Sequence, residues 1–532
     1  MNDLFFIYGP PGGGKTTLGR LLAKRLELPF VDLDARIVER AGRPIPEIFA
    51  SEGEPGFRAR ETESLRQVVD EGRGVIALGG GALLAPINRS LAEETGVVLC
   101  LDASLDMLVS RVDRAPGTRP LLATAATTAP DAAAPAASAR QRLSDLLSKR
   151  AAHYASFMHR IVVEEVSPDA NADAAQVALG AYRVAGMGLS YPVRVGPGWL
   201  DGIGHFFEAN RWKGRVAVVG DDYTLPVYGR QVAQIFSGIG LNVQRVSIPS
   251  GEAFKTVETV QSLWQAFLDA RIDRGDTVVA IGGGVLGDLT GFAAATWLRG
   301  VRWVGVPTTL LAMVDSSIGG KTGADLPQGK NLVGAFHPPA LVLADTETLG
   351  TLPDDEFRSG LAEVVKAGVI ADPELFDCCA EGFDSLRNDL PPDFVSRAMS
   401  VKIRTIQEDP YEKGIRAALN LGHTVGHGIE VASCFSLRHG EAVAIGLVQE
   451  ARLAEKMGLA HPGLSDLIRG VLARIGLPTE IPESIDRRAI LEAIRLDKKR
   501  ADGVVRFALP VRIGEVRTGI AVEPALLEAV LR

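Results

Sequence analysis

Residues 9–16 read Gly9-Pro-Pro-Gly-Gly-Gly14-Lys15-Thr16, set between an apolar run that ends at Tyr8 and the amphipathic segment from Leu18 to Leu26. This placement commits the N-terminal part to a strand, a glycine-rich loop and a helix, because the pattern binds phosphate only in that context. Backbone N–H groups of Gly12, Gly13 and Gly14 and of the first helical turn, where Thr17 lies, would cradle the phosphates of ATP. Lys15 would reach the transferring phosphate and the Thr16 hydroxyl would hold Mg²⁺. A plain glycine-rich turn explains the glycines but not Lys15-Thr16.

With 532 residues the chain is too long for one ordinary core, and several compact units are expected. It is 46% apolar and 23% charged, as in a soluble globular protein, and 57 basic against 65 acidic residues give a formal charge of −8. That balance favours neither nucleic acid nor an anionic membrane, so an anionic substrate must be held by local clusters of Lys and Arg. Met1-Asn-Asp lacks the basic start of a signal peptide, and no apolar run reaches the roughly 18 residues of a bilayer span. Cys100, Cys378, Cys379 and Cys434 show neither zinc-ribbon nor disulfide spacing, so a cytoplasmic location is expected.

Phe30-Val-Asp32-Leu-Asp34 places two carboxylates at the end of a predicted strand, suited to magnesium and to a hydroxyl. Then follow Gly53-Glu-Pro-Gly-Phe57-Arg58, Ala77-Leu-Gly79-Gly80-Gly81-Ala82, Arg119-Pro-Leu-Leu, and Leu143 to Arg150 with Tyr154 beyond. Each alone reads as a turn, a surface ion pair or a solvated helix face. Together and in this order they resemble shikimate kinase over about the first 165 residues. The resemblance implies that Asp34 binds and helps deprotonate the reacting hydroxyl, that Arg58 and Arg150 grip the carboxylate, and that Gly79, Gly80 and Gly81 let the backbone approach the ring. It also implies that Asp32 helps position Mg²⁺ and that Arg119, on the lid, meets the nucleotide phosphates. Residues 123–140 depart from the family as an Ala/Pro/Thr-rich lid insert, which would change closing kinetics and leave the chemistry intact.

Small and polar residues after Val166 set a domain joint, giving a first domain at 1–170, a linker at 171–188 and a new unit from Tyr191. Strand and helix patterns then alternate through Arg215–Asp221 and Val243–Ile248, as in a parallel α/β sheet. Asp276 to Gly291 reads as a buried strand delivering Gly282, Gly283, Gly284 and Gly287 to a helix, which fits a dinucleotide pyrophosphate or, equally, a tight turn. Val306-Pro-Thr308-Thr309, Asp315-Ser-Ser-Ile-Gly-Gly320-Lys321-Thr322 and Gly329-Lys330-Asn331 suggest a pocket for an oxyanion or phosphate. The sheet domain is expected over 189–346 and an α-helical domain over 347–532, facing it across a cleft.

In the helical part, Glu363 and Lys366 share a face, with a weak surface pair as the bland reading. Three of eight histidines crowd into Leu419-Asn-Leu-Gly-His423-Thr-Val-Gly-His427 and His439-Gly-Glu441, which suggests a metal site. Spacing alone makes His423 and His427 the ligand pair.

The segment from Gly251 to Arg500 resembles 3-dehydroquinate synthase through Gly-Glu-x-x-Lys, Gly-Gly-Gly-Val-x-Gly-Asp, Asp-Ser-Ser-Ile-Gly-Gly-Lys-Thr, Ala-Glu-Val-Val-Lys, Asn-x-Gly-His-Thr-x-Gly-His and His-Gly-Glu-Ala-Val. The resemblance implies a Rossmann-like α/β domain for NAD⁺ and a helical domain in which Glu363, His423 and His439 bind Zn²⁺, with Co²⁺ as the alternative. His427 would instead handle protons near the substrate phosphate. NAD⁺ would lie along Gly251, Glu252 and Lys255, along Gly284, Val285, Gly287 and Asp288, and at Thr308, Thr309, Lys321 and Lys330. Arg299, Lys321, Asn331, Lys366, Lys402, Arg416, Asn420 and one of Lys498 or Lys499 would line the substrate pocket, with Asp315 organising the cations. Asp325 stands where the family pattern has an amide.

The whole chain is then expected to be an α/β fusion, a three-layer P-loop kinase followed by a two-part synthase. Its partners would be shikimate, ATP and a heptulosonate phosphate, with no nucleic acid or membrane, and it would form a homo-oligomer through the synthase half. The two reactions are not consecutive in aromatic biosynthesis, so the resemblance does not imply direct handover between sites. Two rivals remain: a polyol dehydrogenase for the second half, and a non-catalytic nucleotide-binding module for the first.

Overall fold

The computed structural model describes residues 3–113, 139–186, 188–411, 414–498 and 505–532. Backbone contacts divide the chain into two compact units, Met1–Arg183 with Gly204–Arg211, and Val184–Ile203 with Trp212–Arg532.

The first unit is built on five parallel strands, β1 (Asp3–Tyr8), β2 (Phe30–Asp32), β3 (Arg73–Ala77), β4 (Val97–Asp102) and β5 (His159–Val162). Their order is β2-β3-β1-β4-β5, with Phe5 opposite Val75 and Ile7 opposite Leu99. Leu4 to Tyr8 are fully buried, as a continuous apolar run in a parallel sheet should be. Central β1 therefore hands its loop to the α-helix Lys15–Leu26 at the carboxyl edge of the sheet, where ligands of such folds bind. The helical stretch Ile45–Asp70 is broken at Gly53, whose φ of 68° is left-handed, and Pro55 starts a new helix that carries Arg58.

Residues 171–179, expected in a linker, instead belong to the helix Pro168–Leu179, which Ser167 caps by accepting from the Ala170 N–H. Its alanine-rich face explains the misreading: small side chains bury well at close range while looking like a linker in composition. The strand β6 (Ala181–Val184) follows, straddling the division between the units.

In the second unit β7 (Tyr191–Gly196), β8 (Arg215–Asp221), β9 (Asn242–Ile248), β10 (Thr277–Gly282), β11 (Arg302–Pro307) and β14 (Leu341–Asp345) pair in parallel, in the order β7-β14-β11-β10-β8-β9. An antiparallel hairpin, β12 (Lys321–Leu326) and β13 (Gly329–Phe336), has a register irregularity at Asp325. Asp325 is built into that bulge, for its carboxylate accepts from the Asn331 N–H at 2.7 Å and its own N–H donates to the Lys255 carbonyl at 2.7 Å.

The rest of the unit is largely helical, as its periodicity predicts. Asp354–Ala371 is buried on nearly every side, so it is a core helix, and its first turn carries Asp354, Asp355 and Glu356 against the positive end of the helix dipole. A purely helical domain is nevertheless not found, since β15 (Arg506–Arg512) and β16 (Glu515–Ala521) form an antiparallel hairpin late in the chain. No described helix is long and apolar enough to cross a membrane.

Candidate active sites

In the first unit Gly12 and Gly14 take left-handed φ values of 85° and 86°, which turn the loop into the N-terminus of the helix Lys15–Leu26. Lys15 Nζ donates to the carbonyls of Gly9 and Pro10 at 2.9 Å each, so the ammonium is folded over the loop. Thr16 Oγ1 donates to Asp32 Oδ2 at 2.8 Å, joining a hydroxyl and a carboxylate as Mg²⁺ coordination through those groups requires. Thr17 is exposed on the next position of the same turn.

Asp34, from the first turn after β2, faces the glycine bridge: a Cβ on Gly79 would lie 3.1 Å from Asp34 Oδ1 and 3.2 Å from Glu61 Oε1. A Cβ on Gly81 would come within 2.9 Å of the Arg58 guanidinium. Arg58 pairs with Glu61 at 2.8 Å and Glu54 at 3.1 Å. Burial raises the Glu61 carboxyl above the ordinary range, with a push from the Asp34 charge and against the pull of Arg58. Arg150 donates to the Gly80 carbonyl at 2.6 Å, and the same oxygen accepts from Tyr154 at 3.1 Å and from Tyr8 at 3.3 Å. Asp34, Arg58, Gly79, Gly80, Gly81 and Arg150 thus cluster about one glycine bridge, whereas Arg119 and residues 123–138 of the expected insert lie outside the described residues. Sequence reading missed Glu61 and Tyr8. The spacing of Arg58 and Glu61 on one helix face was the available signal for the first, and nothing local marked the second.

In the second unit β10 ends at Gly282 and the helix Gly284–Thr296 starts at once. A Cβ on Gly287 would meet nothing within 4 Å, so the first turn of this helix, with Val285, opens on space. Thr308 donates its N–H to the Gly282 carbonyl, and Thr309 caps the following turn by accepting from the Ala312 N–H. Gly284, Gly287, Asp288 and Lys321 line one narrow crevice. Lys255 Nζ donates to Asp288 Oδ2 at 2.7 Å and to Asn331 Oδ1 at 2.6 Å, so Asn331, assigned to substrate, sits with two residues assigned to the cofactor. Gly251 carries a φ of 104°, and Glu252 beside it reaches Lys330 at 3.1 Å.

Lys402 is bound to Asp315, donating to its carbonyl at 2.7 Å and its Oδ1 at 2.5 Å. Burial pushes the Lys402 ammonium down, and Asp315 resists that shift. Arg416 is buried in the turn Ile415–Asn420, which also carries Asn420, and borders the backbone of Gly319. Arg299 is exposed at a left-handed φ of 68° just beyond the helix Gly284–Thr296. Lys498 ends the helix Arg487–Lys498, and Lys499 lies outside the described residues.

The metal candidates converge from three helices. Glu363 Oε1 lies 3.4 Å from His423 Nε2 and 3.4 Å from His439 Nε2, and this buried oxygen has no hydrogen-bond partner. Two imidazole nitrogens around an orphaned carboxylate oxygen, three potential ligand atoms in all, are what a divalent cation would satisfy. His423 Nδ1 donates to the Leu421 carbonyl at 3.1 Å, which leaves the Nε2 lone pair turned inward. Burial, reinforced by Lys366, pushes the His423 imidazole down to about 3, so it is neutral and ready to ligate. Burial also works against charge on His439, but Glu363 and Glu430 on either side outweigh it and raise the ring to about 10.

Lys366 pairs with Glu363, and both are buried at 4% and 3% exposure, so the surface-pair reading does not hold. Despite burial, Lys366 and the two histidines hold the Glu363 carboxyl well below the usual range. The spacing reading also changes. His427 is half-exposed and groups with Glu430 and His439, and no convergent set among the described residues contains both His423 and His427. One helical turn brought the two rings within 5.2 Å, but aimed their nitrogens differently.

Close helix packing makes this convergence possible. A Cβ on Gly446 would fall 2.0 Å from the Gly422 carbonyl, and one on Gly440 2.0 Å from the Ser359 carbonyl. Glu450, fully buried, accepts from the N–H groups of Gly422 (2.6 Å) and Val425 (3.1 Å), capping the helix that begins at His423. Neither device had a signal in the local sequence.

The fold and sites define the class: a P-loop phosphotransferase unit joined to a cofactor-sheet and metal-helix unit. Residues 11–179 match the family model for shikimate kinase, 245–359 that for the 3-dehydroquinate synthase N-terminal region and 360–500 that for its C-terminal region. A 3-dehydroquinate synthase of Symbiobacterium thermophilum is 46% identical over 331 residues, 61% of this chain and 92% of that protein. That of Nostoc punctiforme is 42% identical over 349 residues, 64% of this chain and 96% of the relative.

Among solved structures, a 2-epi-5-epi-valiolone synthase from Streptomyces hygroscopicus with NAD⁺ and Zn²⁺ bound is 30% identical, with a TM-score of 0.60 over 66% of this chain and 98% of that one. A 2-deoxy-scyllo-inosose synthase complexed with carbaglucose-6-phosphate, NAD⁺ and Co²⁺ is 26% identical, with a TM-score of 0.59 over 66% and 99%. The chain belongs to the 3-dehydroquinate synthase family and carries a shikimate kinase domain ahead of the synthase.

Proposed function

We propose that the chain is bifunctional. Its first unit phosphorylates shikimate with ATP to give shikimate 3-phosphate, and its second converts 3-deoxy-D-arabino-heptulosonate 7-phosphate to 3-dehydroquinate and inorganic phosphate. The observation that carries the second half is the orphaned Glu363 oxygen facing His423 and His439 beside buried Lys366 and partly buried Lys402. A substrate bearing both phosphate and carboxylate needs such local cations in a chain of net charge −8.

In the kinase, Mg²⁺ with ATP supplies charge neutralisation when bound, through Thr16 and Asp32. Asp34 takes the hydroxyl proton, Lys15 steadies the transferring phosphoryl group, and Arg58 and Arg150 hold the substrate carboxylate. In the synthase, Glu363, His423 and His439 hold Zn²⁺ or Co²⁺, which supplies Lewis acidity at the substrate hydroxyls. Gly251–Lys255, Gly284–Asp288 and Thr308-Thr309 would hold NAD⁺, which would supply a hydride acceptor. Arg299, Lys321, Asn331, Arg416, Asn420 and one of Lys498 or Lys499 bind the anionic groups, Asp315 fixes Lys402, and His427 moves protons at the phosphate-bearing end. The chain is cytoplasmic and self-associates through the synthase unit, which a solution mass measurement tests.

The likeness to inosose and valiolone synthases favours one second reading, cyclisation of an uncarboxylated sugar phosphate. The test offers heptulosonate 7-phosphate and glucose 6-phosphate separately with catalytic NAD⁺ and Zn²⁺, and a polyol with excess NAD⁺, while following phosphate release and absorbance at 340 nm. Phosphate in excess of NAD⁺ from the heptulosonate alone, without lasting NADH, supports the proposal. Turnover of glucose 6-phosphate transfers the unit to the second reading, and stoichiometric NADH from a polyol moves it to the dehydrogenases. Shikimate-dependent ADP formation tests the kinase half.

A further inference from the structure

Glu430 lies one turn beyond His427 on the helix His423–Ala432 and is 4% exposed. Its Oε1 is 3.5 Å from His439 Nδ1 and 3.5 Å from Lys330 Nζ, and its Oε2 is 3.9 Å from His427 Nε2. His439 therefore stands between two carboxylates, with Glu363 on its Nε2 side and Glu430 on its Nδ1 side. A neutral imidazole has one N–H and one lone pair, and a carboxylate at Nδ1 keeps the N–H there and the lone pair on Nε2. His423 reaches the same tautomer by donating to a backbone carbonyl, so the two histidines are oriented by unlike partners. Lys330 divides its charge between Glu430 and Glu252 and sits 4.5 Å from the centroid of the Phe435 ring, which fixes its place.

We propose that Glu430 is a positioning residue of the metal centre: it holds His439 with Nε2 toward the ion, and Lys330 tempers it by sharing its carboxylate with the loop around Glu252. The inference rests on the metal-dependent synthase reading. The Glu430 contact at Nδ1 orients the His439 ring, so removing the carboxylate lets the ring turn and weakens metal binding, while removing the competing ammonium leaves the carboxylate wholly to His439 and strengthens it.

The full chain, stripped of metal, is titrated with Co²⁺, with visible absorption reporting coordination and a competing chelator reporting affinity. Glu430→Gln is expected to lower Co²⁺ affinity about 10–100-fold with an unchanged far-ultraviolet circular dichroism spectrum, and Lys330→Met to raise it. Unchanged affinity in Glu430→Gln overturns the proposal. So does a wild type that binds two Co²⁺ per chain and loses one in this variant, because Glu430 would then be a ligand. Should Glu430→Gln fail to fold, Lys330→Met decides alone: a rise supports the proposal, and no change or a fall overturns it. Unimpaired Co²⁺ binding by His423→Ala would instead sink the metal-site reading itself.

Discussion

The two active sites are assembled on different length scales. In the kinase unit the proposed phosphate-binding groups from Gly12 to Thr16 sit on one loop and the helix start that follows it, and Asp32 and Asp34 flank a single strand-to-helix turn. In the synthase unit the ligand candidates Glu363, His423 and His439 come from three helices held together by glycine-mediated packing. Backbone N–H donors need one strand, one loop and one helix start to converge, whereas side-chain ligands need several helices to agree in position. The kinase site should therefore be vulnerable at its own residues, and the synthase site also at packing positions that never touch substrate.

The largest effect is expected from His423→Ala, or from stripping the synthase metal with a chelator that is removed before Mg²⁺ is restored for the assay. Phosphate release from heptulosonate phosphate should fall to background while shikimate-dependent ADP formation stays intact; parallel assays on one preparation measure both. Loss of both activities would break the comparison by showing the sites to be interdependent.

Lys15→Met is the reciprocal change. Removing a charged donor from the transferring phosphate should reduce kinase kcat about 10²–10³-fold, with synthase turnover and Co²⁺ affinity unaltered.

Gly446→Ala tests packing away from either substrate. Its new methyl group would overlap the Gly422 carbonyl, at a cost of about 1–3 kcal/mol in overpacking, and would move His423 relative to His439. Denaturant unfolding should record the loss in the second unit, and Co²⁺ titration a weakened site, with shikimate KM unchanged. A stable variant with full Co²⁺ affinity would mean that the helices tolerate displacement without moving the ligands.

Tyr154→Phe should have the smallest effect. It removes one of three donors to the Gly80 carbonyl, worth about 0.5–1.5 kcal/mol, and should appear as a modest rise in shikimate KM at constant kcat. A fall in kcat instead would implicate Tyr154 in the chemical step.

How far each region could be read in advance follows from the same contrast. The loop at Gly9–Thr16 and the strand that feeds it were legible because phosphate binding there depends on contiguous backbone. The strand Arg215–Asp221 was legible from its apolar run and Asn242–Ile248 from its place in the strand and helix alternation, while residues 171–179 passed for a linker because alanine gives little periodic contrast. Spacing left a surface pair open as the bland alternative for Glu363 and Lys366, because helical spacing states which residues are neighbours but not which face is buried.

The sequence by itself determined the two site chemistries, their order along the chain, and the parallel α/β frame, because each rests on residue type and local spacing. Only the tertiary structure decided which histidine nitrogens face Glu363, that Glu430 stands behind His439, that Lys255 holds Asn331, and that Glu450 caps the helix of His423. Those relations join atoms from separate elements, and their distances are set by how helices pack over glycine, which no local pattern encodes.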